Sequence, residues 1–302
     1  MLTILARISF AVAMGVLARY YMLRVDYRQY PSYPHGYVIH MGLGLIAASL
    51  GALAIPALLK RDYMAVTILA LAAQQFREVR DMERRSLERI EETELVPRGA
   101  AYIEGIAKVF EARNYLAMLV GLIVSGVVFL APFPLVFNLL LGAISGVISM
   151  NVLNKGMVGD RVGDIAVVRQ AELRFAGSLL MVEDVVLTNI GLKGSRELYL
   201  SSGLAVVIEP KDDNARATLA NLGQRQAIAH DAAAIMGVRL DVSEPEFVPL
   251  ARLSTKTGRV AFVILPIERD VESLLEAIRR VPVLESARRS PLRTLAGRYA
   301  QD

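Results

Sequence analysis

Two aspartates, Asp160 and Asp164, stand four residues apart, and each follows a glycine just after a long apolar stretch. Paired carboxylates of this kind can bind Mg²⁺ or anchor a basic group of a partner. The same pattern suits two turn carboxylates, because aspartate tolerates turn geometry and glycine supplies a positive φ. The sequence favours the turn interpretation and leaves the other two open.

The three histidines offer little further chemistry. His35 and His40 are five residues apart, whereas side chains that meet on one helix face are three or four apart. His230 precedes Asp231, but no nucleophile motif accompanies the pair. The chain has no cysteine, which excludes thiolate zinc sites, iron–sulfur clusters and a cysteine nucleophile. We therefore predict no catalytic residue, no cofactor-binding residue and no metal site.

The chain as a whole is more apolar than a typical soluble domain. Hydrophobic residues make up 54% of the 302 residues and charged residues 21%, and the mean hydropathy is +0.41. The net charge of +4 is too small for a typical nucleic-acid-binding protein, so no nucleic-acid partner is expected. The apolar excess lies in the first half, which predicts a membrane domain over residues 1–154.

Four segments of this domain are long enough to cross a bilayer, whose core needs about 20 apolar residues. Residues 114–154 carry no formal charge. Two prolines, Pro132 and Pro134, interrupt this run and predict a helical hairpin. The predicted spans are residues 3–23, 36–59, 115–131 and 135–154.

Charge asymmetry sets the expected membrane topology. The short apolar segment 63–76 ends in two glutamines and is predicted not to span. Segment 77–95 has five basic and seven acidic residues at helical spacings, which predicts a solvated cytoplasmic helix. Lys60 and Arg61 then lie on the same side as this helix, so both termini are predicted to be cytoplasmic in the cell membrane.

Small residues in the spans predict how the helices pack. Gly142 and Gly146 form a GxxxG pattern, which lets helix backbones approach closely. Packing within one bundle is favoured, and a homo-oligomer face is the alternative. No Asp or Glu lies inside the predicted spans, which disfavours a transporter or pump.

From residue 155 the composition changes to balanced charge and strand-length apolar runs. We predict a small β-rich connector over 155–200, an α+β cytoplasmic domain over 201–286 and a basic, mobile tail over 287–302. The domain's elements follow the order β-α-β-β-α-β, which is that of a ferredoxin-like fold. Its strands are predicted at 203–208, 246–253, 258–266 and 281–284, and its helices at 213–236 and 269–280. The fold class is thus an α-helical multi-pass membrane domain followed by an α+β domain.

One string resembles a known family. Residues Tyr102-Ile103-Glu104-Gly105-Ile106-Ala107 spell the motif that names the YIEGIA family of membrane proteins from endospore-forming Bacillales and Clostridia. Residues 74–80, 111–115, 159–166 and 219–226 also resemble that family. The resemblance implies a role in spore envelope assembly or dormancy and a small companion protein, but no catalytic residues. The candidate motif or interaction residues are Tyr102, Glu104, Gly105, Arg113, Asp160 and Asp164.

The expected function is therefore a non-enzymatic scaffold or assembly factor of the sporulation programme. Its expected partners are the lipid bilayer and one or more proteins. The rival hypothesis is an integral membrane hydrolase that uses Glu104, Asp160 and Asp164 near the inner membrane surface. A third hypothesis is a ligand sensor, because ferredoxin-like domains often bind small molecules.

Overall fold

The structure is a computed structural model that describes residues 2–26, 34–91, 94, 96–155, 159–238, 240–241, 244–245 and 247–299. The chain divides into two compact units. The helical unit comprises residues 1–85 and 106–158, and the α+β unit comprises residues 86–105 and 159–302. Each is described separately below.

Six helices build the first part of the chain, and four of them are long and apolar enough to cross a membrane. Two of the six, α4 and α5, begin in one unit and end in the other. The helix over Ala100–Leu130 begins well before the span predicted at 115–131. Residues 100–113 contain no proline that would break it. The helices are α1 (Leu2–Asp26), α2 (Pro34–Leu59), α3 (Tyr63–Gln74), α4 (Phe76–Glu91), α5 (Ala100–Leu130) and α6 (Leu135–Lys155).

Helices α2 and α5 approach each other closely through small residues. A methyl group on Gly51 would lie 1.9 Å from the carbonyl oxygen of Met118. The Ser125 hydroxyl donates a buried hydrogen bond of 2.7 Å to the carbonyl oxygen of Ala52. In a lipid-facing bundle, such close backbone packing and interhelical hydrogen bonds replace the hydrophobic driving force of a soluble core.

The GxxxG pair of α6 also packs inside the helical unit, as favoured from the sequence. A methyl group on Gly142 would meet the side chains of Val128 and Phe10, and one on Gly146 would meet Met14. Both glycines therefore serve contacts of α6 with α1 and α5 within one chain.

The contacts also fix the directions of the helices. Arg7 of α1 lies over the Phe129 ring and Arg19 lies over the Phe110 ring, each 5.6 Å from the ring centroid. Helix α1 is therefore antiparallel to α5. Helix α2 is parallel to α5, because the ring centroids of His40 and Phe110 are 4.6 Å apart while Ala52 pairs with Ser125 farther along both helices.

Helix α3 and the start of α4 run back along α2. Phe76 packs in one buried cluster with Ala47 of α2. Farther on, the Glu83 carboxylate lies 3.8 Å from His40 Nε2. Lys60 and Glu83 therefore lie at opposite ends of the bundle.

These directions do not fit the predicted topology. Helices α1 and α6 are parallel, since Phe10 packs near Gly142 and Met14 near Gly146. The first residue of α1 and the last of α6 therefore lie at opposite ends of the bundle, whereas both termini were expected on one side. Hydropathy alone misses this because α3 has only 12 residues and is too short to count as a span.

The charged helix α4 is less solvated than the sequence indicates. Phe76, Glu83 and Leu87 are buried, although Met82 on the same helix is 60% exposed. The spacing of the buried residues places one face of α4 against other elements, and the remaining charges lie on the other faces.

The α+β unit contains a four-stranded antiparallel sheet in the order β1-β5-β9-β8 and a three-stranded meander, β2-β3-β4. Two short strands, β6 and β7, pair separately. The strands are β1 (Ala166–Gln170), β2 (Leu173–Ala176), β3 (Leu179–Val182), β4 (Val185–Asn189), β5 (Leu204–Pro210), β6 (Leu240–Asp241), β7 (Glu244–Pro245), β8 (Leu250–Leu253) and β9 (Val260–Ile264). The helices are α7 (Val162–Ile165), α8 (Lys193–Ser202), α9 (Asp213–Leu219), α10 (Leu222–Met236), α11 (Val271–Arg280) and α12 (Leu295–Tyr299), with a 3₁₀ turn at Pro291–Arg293.

The predicted final strand at 281–284 is wrong. Residues 281–284, all described, make only a single bridge, from Arg161 to Pro282. Proline lacks the N–H that a ladder needs. The edge position beside β5 is taken instead by β1, from the segment predicted as a connector.

Three other elements differ from the prediction. The helix expected over 213–236 is two helices, because the Asn221 side chain caps α10 by accepting from the Gln224 N–H. Residues 179–189, which read as a single strand in the predicted connector, form a hairpin that turns at Glu183, whose φ is 51°. Helix α8 was not predicted. In the predicted tail, Ala287 is fully buried, and residues 291–293 and 295–299 are helical.

Candidate functional site

Two of the strings that resemble the family, residues 102–107 and 219–226, meet in the α+β unit. The Tyr102 N–H, at the start of α5, donates a 3.0 Å hydrogen bond to Oε1 of Gln226 on α10. The Tyr102 side chain is 2% exposed, and its ring meets the His230 ring edge-on at 6.0 Å between centroids. We call this contact of residues 97–105 with α10 the motif junction.

Two glycines explain why the junction needs its particular residues. A methyl group on Gly223 would lie 2.7 Å from the carbonyl oxygen of Ala101, so α10 can approach α5 only without a side chain there. A methyl group on Gly105, the glycine of the named motif, would lie 2.7 Å from Oγ of Ser286. Because the Ser286 hydroxyl can rotate and the Ala101 backbone cannot, Gly223 is the glycine that this close packing requires.

Gln224 fixes the far side of α10. Its fully buried side chain accepts a 2.7 Å hydrogen bond from the Leu284 N–H and donates a 3.2 Å bond to the carbonyl oxygen of Pro282. The glutamine amide thus satisfies the backbone of a segment that does not pair as a strand.

The residues before α5 are also fixed by polar contacts. The Gly99 N–H donates a 2.7 Å hydrogen bond to Oε1 of Glu91. Arg98 pairs with Glu94 at 2.8 Å. Gly99 has a φ of +88°, a conformation that other residues rarely adopt.

Two titratable groups of α10 are shifted by the junction. Burial raises the pKa of Asp231 to about 6, and the nearby Arg98 opposes the shift. Burial, aided by Arg98, lowers the pKa of His230, while Glu94 and the carbonyl groups of Val96 and Pro97 oppose that change. Both groups therefore favour their neutral forms.

Asp231→Asn is expected to stabilise the protein at neutral pH. An aspartate with a raised pKa makes the folded state lose stability as pH rises from about 4, near its unfolded pKa, to about 6. The variant should gain about 1–3 kcal/mol above pH 6 and nothing below pH 4. Thermal unfolding of the full chain in detergent from pH 4 to 8 measures the difference.

The exposed Asp184→Asn is the control for this experiment. Its stability should match that of the wild type at each pH within about 0.5 kcal/mol. A gain for Asp231→Asn that did not change with pH would contradict the interpretation, because burial of a charge is the proposed cause.

A second feature of the α+β unit is a charged cleft of about 470 Å³. It lies between α9, α7 with the residue Asp160 before it, and residues 288–293 of the tail. We call it the tail cleft. Its charged lining residues are Asp160, Asp164, Lys211, Asp212, Arg288, Arg289 and Arg293.

The tail cleft brings together the two predicted aspartates, and both have partners within the chain. Asp164 Oδ2 accepts a 2.7 Å hydrogen bond from the Arg161 N–H. Asp160 forms an ion pair with Arg288. Asp164 thus holds a local turn, whereas Asp160 anchors the distant tail, a contact that its spacing from Asp164 did not indicate.

The other candidate residues lie elsewhere. Glu104 is half-buried on α5 and, within the described part of the chain, is not among the residues that line the tail cleft. Arg113 is 1% exposed in the helical unit. His40 faces Glu83 in that unit, and the side chain of His35 lies outside the described part. Across the described ranges, no group of three or more His, Asp or Glu side chains could hold a metal ion.

Sequence reasoning missed the residues that do most of the positioning. In the sequence, Gln224 and Gln226 stand out only as members of residues 219–226, which resemble the family. Nothing in a helix pattern tells a buried glutamine from an exposed one, because its partners come from distant segments. The signal available was their position beside Gly223, since a helical glycine costs stability unless close packing requires it.

Comparison with known proteins supports the resemblance. The family described as "YIEGIA protein" matches residues 7–294. A curated relative, "Uncharacterized protein YphB" of Bacillus subtilis (strain 168), is 44% identical over 281 residues, which are 93% of this chain and 92% of the relative. No solved structure matches the chain. Because the match extends over nearly the whole sequence and includes both strings of the motif junction, the chain belongs to the YIEGIA family.

Proposed function

We propose that this protein is an integral membrane protein of the sporulation programme that acts as a scaffold or assembly factor for the spore envelope or dormancy. The α+β unit would provide the docking surface on the cytoplasmic side. Partners would be the lipid bilayer and one or more proteins, among them a small companion protein. The sporulation role comes from the family resemblance.

The observation that favours a scaffold over a hydrolase is the way in which the candidate acids are used. Asp164 is bound to a backbone N–H, and Asp160 is paired with Arg288. Glu104 stands apart from both, on the first turns of α5. A hydrolase needs a positioned acid and base within reach of one substrate. Asp160 and Asp164 share the tail cleft but are already bound there, and Glu104 is not among the described residues that line it.

A complementation experiment separates the two functions. A strain that lacks the gene should show a defect in spore formation or dormancy. The triple variant Glu104→Gln, Asp160→Asn, Asp164→Asn should restore wild-type spores if the protein is a scaffold, because these substitutions preserve size. Loss of function at normal membrane abundance would support the hydrolase and contradict the scaffold.

We further propose that the chain crosses the membrane five times, with its N-terminal end outside. Helices α2 and α5 are parallel, so the chain must return between Lys60 and the start of α5. Residues 63–76 are the segment that does so, and they extend about 21 Å at 1.5 Å per residue. Local thinning of the bilayer accommodates a crossing of this length.

The distribution of basic residues supports this orientation. Segment 77–113 holds eight Lys or Arg residues and lies at the inner end of the bundle. Lys60 and Arg61 are the basic residues of the loop at the outer end. By the positive-inside rule, the segment with more Lys and Arg residues lies on the cytoplasmic side.

Single-cysteine labelling tests the topology without background, because the chain has no cysteine. Lys60→Cys and Phe133→Cys should react with a membrane-impermeant maleimide in intact cells. Ser86→Cys should react only after permeabilisation. If Lys60→Cys and Ser86→Cys react on the same side, the fifth crossing is wrong and the four-span arrangement is restored.

A further inference from the structure

The tail cleft has one more basic than acidic side chain, and each of its acidic side chains is already bound within the chain. Its lining has four basic and three acidic side chains. Two of the acids accept backbone N–H groups: Asp164 from Arg161 at 2.7 Å and Asp212 from Ala215 at 2.7 Å. The third, Asp160, is paired with Arg288.

The basic side chains are less fully used. Lys211 Nζ donates to the carbonyl oxygens of Gly163 and Asp164 at 3.0 and 2.8 Å, which leaves one of its three donors. Arg289 uses only Nη1, toward the carbonyl oxygens of Ser286 and Arg288. Both side chains are exposed at the cleft, as is Arg293.

The wall that carries the arginines is held in place. The Leu292 N–H donates a 3.0 Å hydrogen bond to Oδ1 of Asn214. The Arg289 N–H donates a 3.2 Å bond to Oγ1 of Thr218, a residue that is 3% exposed. The tail segment is therefore preorganised against α9, which lowers the entropic cost of binding.

We propose that the tail cleft binds a phosphate-class anion, held by Arg289 and Arg293 with help from Lys211. Guanidinium groups form charge-assisted hydrogen bonds with phosphate oxygens, often two at a time. The occupant is either a lipid phosphate headgroup or a free phosphate compound. This site does not depend on the scaffold role.

Binding is measured on the full chain in detergent and low-chloride buffer, with inorganic phosphate as the probe. Calorimetric titration should show saturable binding. The double variant Arg289→Gln, Arg293→Gln should bind at least about tenfold more weakly. The matched variant Arg174→Gln, Arg280→Gln removes the same charge from exposed residues outside the lining and should bind like the wild type.

A third variant gives an effect of opposite sign. Asp160→Asn removes a negative charge and releases Arg288 toward the cleft, so phosphate binding should tighten about threefold to tenfold. A general effect of net charge would weaken binding equally in both double variants, and that result would overturn the proposal. Absence of saturable phosphate binding by the wild type would also overturn it.

Nanodiscs distinguish the two sources of phosphate. If phosphate binds in phosphatidylcholine discs but is displaced in discs that contain phosphatidylglycerol, the occupant is a lipid headgroup. Equal binding in both kinds of disc assigns the cleft to a free phosphate compound. Displacement in both kinds of disc also assigns a lipid headgroup, because phosphatidylcholine carries a phosphate group as well. Each of these outcomes supports the site.

Discussion

Gly51→Ala should severely destabilise the helical unit. The added methyl group would lie 1.9 Å from the carbonyl oxygen of Met118, and a backbone atom cannot move aside as a flexible side chain can. Helices α2 and α5 would have to separate, which also stretches the hydrogen bond from Ser125 to Ala52. We expect a loss of about 3 kcal/mol or more, or about 6–12 °C in the midpoint of thermal unfolding.

Gly42→Ala is the matched control on the same helix. A methyl group on Gly42 would meet no atom within 4 Å. Because alanine favours a helix over glycine by about 0.5–1 kcal/mol, this variant should be neutral or slightly more stable. Thermal unfolding of the two variants in the same detergent, followed by circular dichroism, compares them. Equal midpoints would show that α2 and α5 are not in close contact at Gly51.

Gln224→Met should destabilise the α+β unit. Methionine fills a similar volume but cannot hydrogen-bond to the Leu284 N–H or the Pro282 carbonyl group. Both groups would stay buried without a partner, which costs about 2–4 kcal/mol in total. The loss should appear in thermal unfolding and in faster amide hydrogen exchange at Val283 and Leu284.

The exposed Gln170→Met, at the end of β1, controls for the change of residue type. It should alter stability by less than about 0.5 kcal/mol. If Gln224→Met were equally mild, the glutamine amide would not be holding residues 282–284. Normal exchange at Val283 and Leu284 would lead to the same conclusion.

The apolar pattern determined the long helices, because only uninterrupted hydrophobic stretches suit a lipid environment. The two prolines Pro132 and Pro134 correctly mark the turn between α5 and α6. The apolar pattern could not show that α3 runs back along α2. It depends on contacts such as Phe76 with Ala47, which join residues far apart in sequence.

In the second unit, the sequence predicted the strands β5 and β9 and the helix α11 close to their observed positions. Such elements are set by local periodicity and by helix caps such as Asp270, which accepts a hydrogen bond from the Ser273 N–H. The occupant of the sheet edge was not predictable. Pro282 lacks the N–H that a strand ladder needs, but only the pairing of residues 166–170 with β5 showed that a segment of the predicted connector fills this edge.

The candidate site shows the same division. The sequence suggested a local turn role for Asp164, and its hydrogen bond from the Arg161 N–H is local. The ion pair of Asp160 with Arg288 and the hydrogen bond between Tyr102 and Gln226 each join residues more than 100 positions apart. The sequence by itself therefore determined which segments are apolar, helical or extended. Only the tertiary structure decided which charged and polar groups meet, because those pairings depend on the burial and geometry of the whole unit.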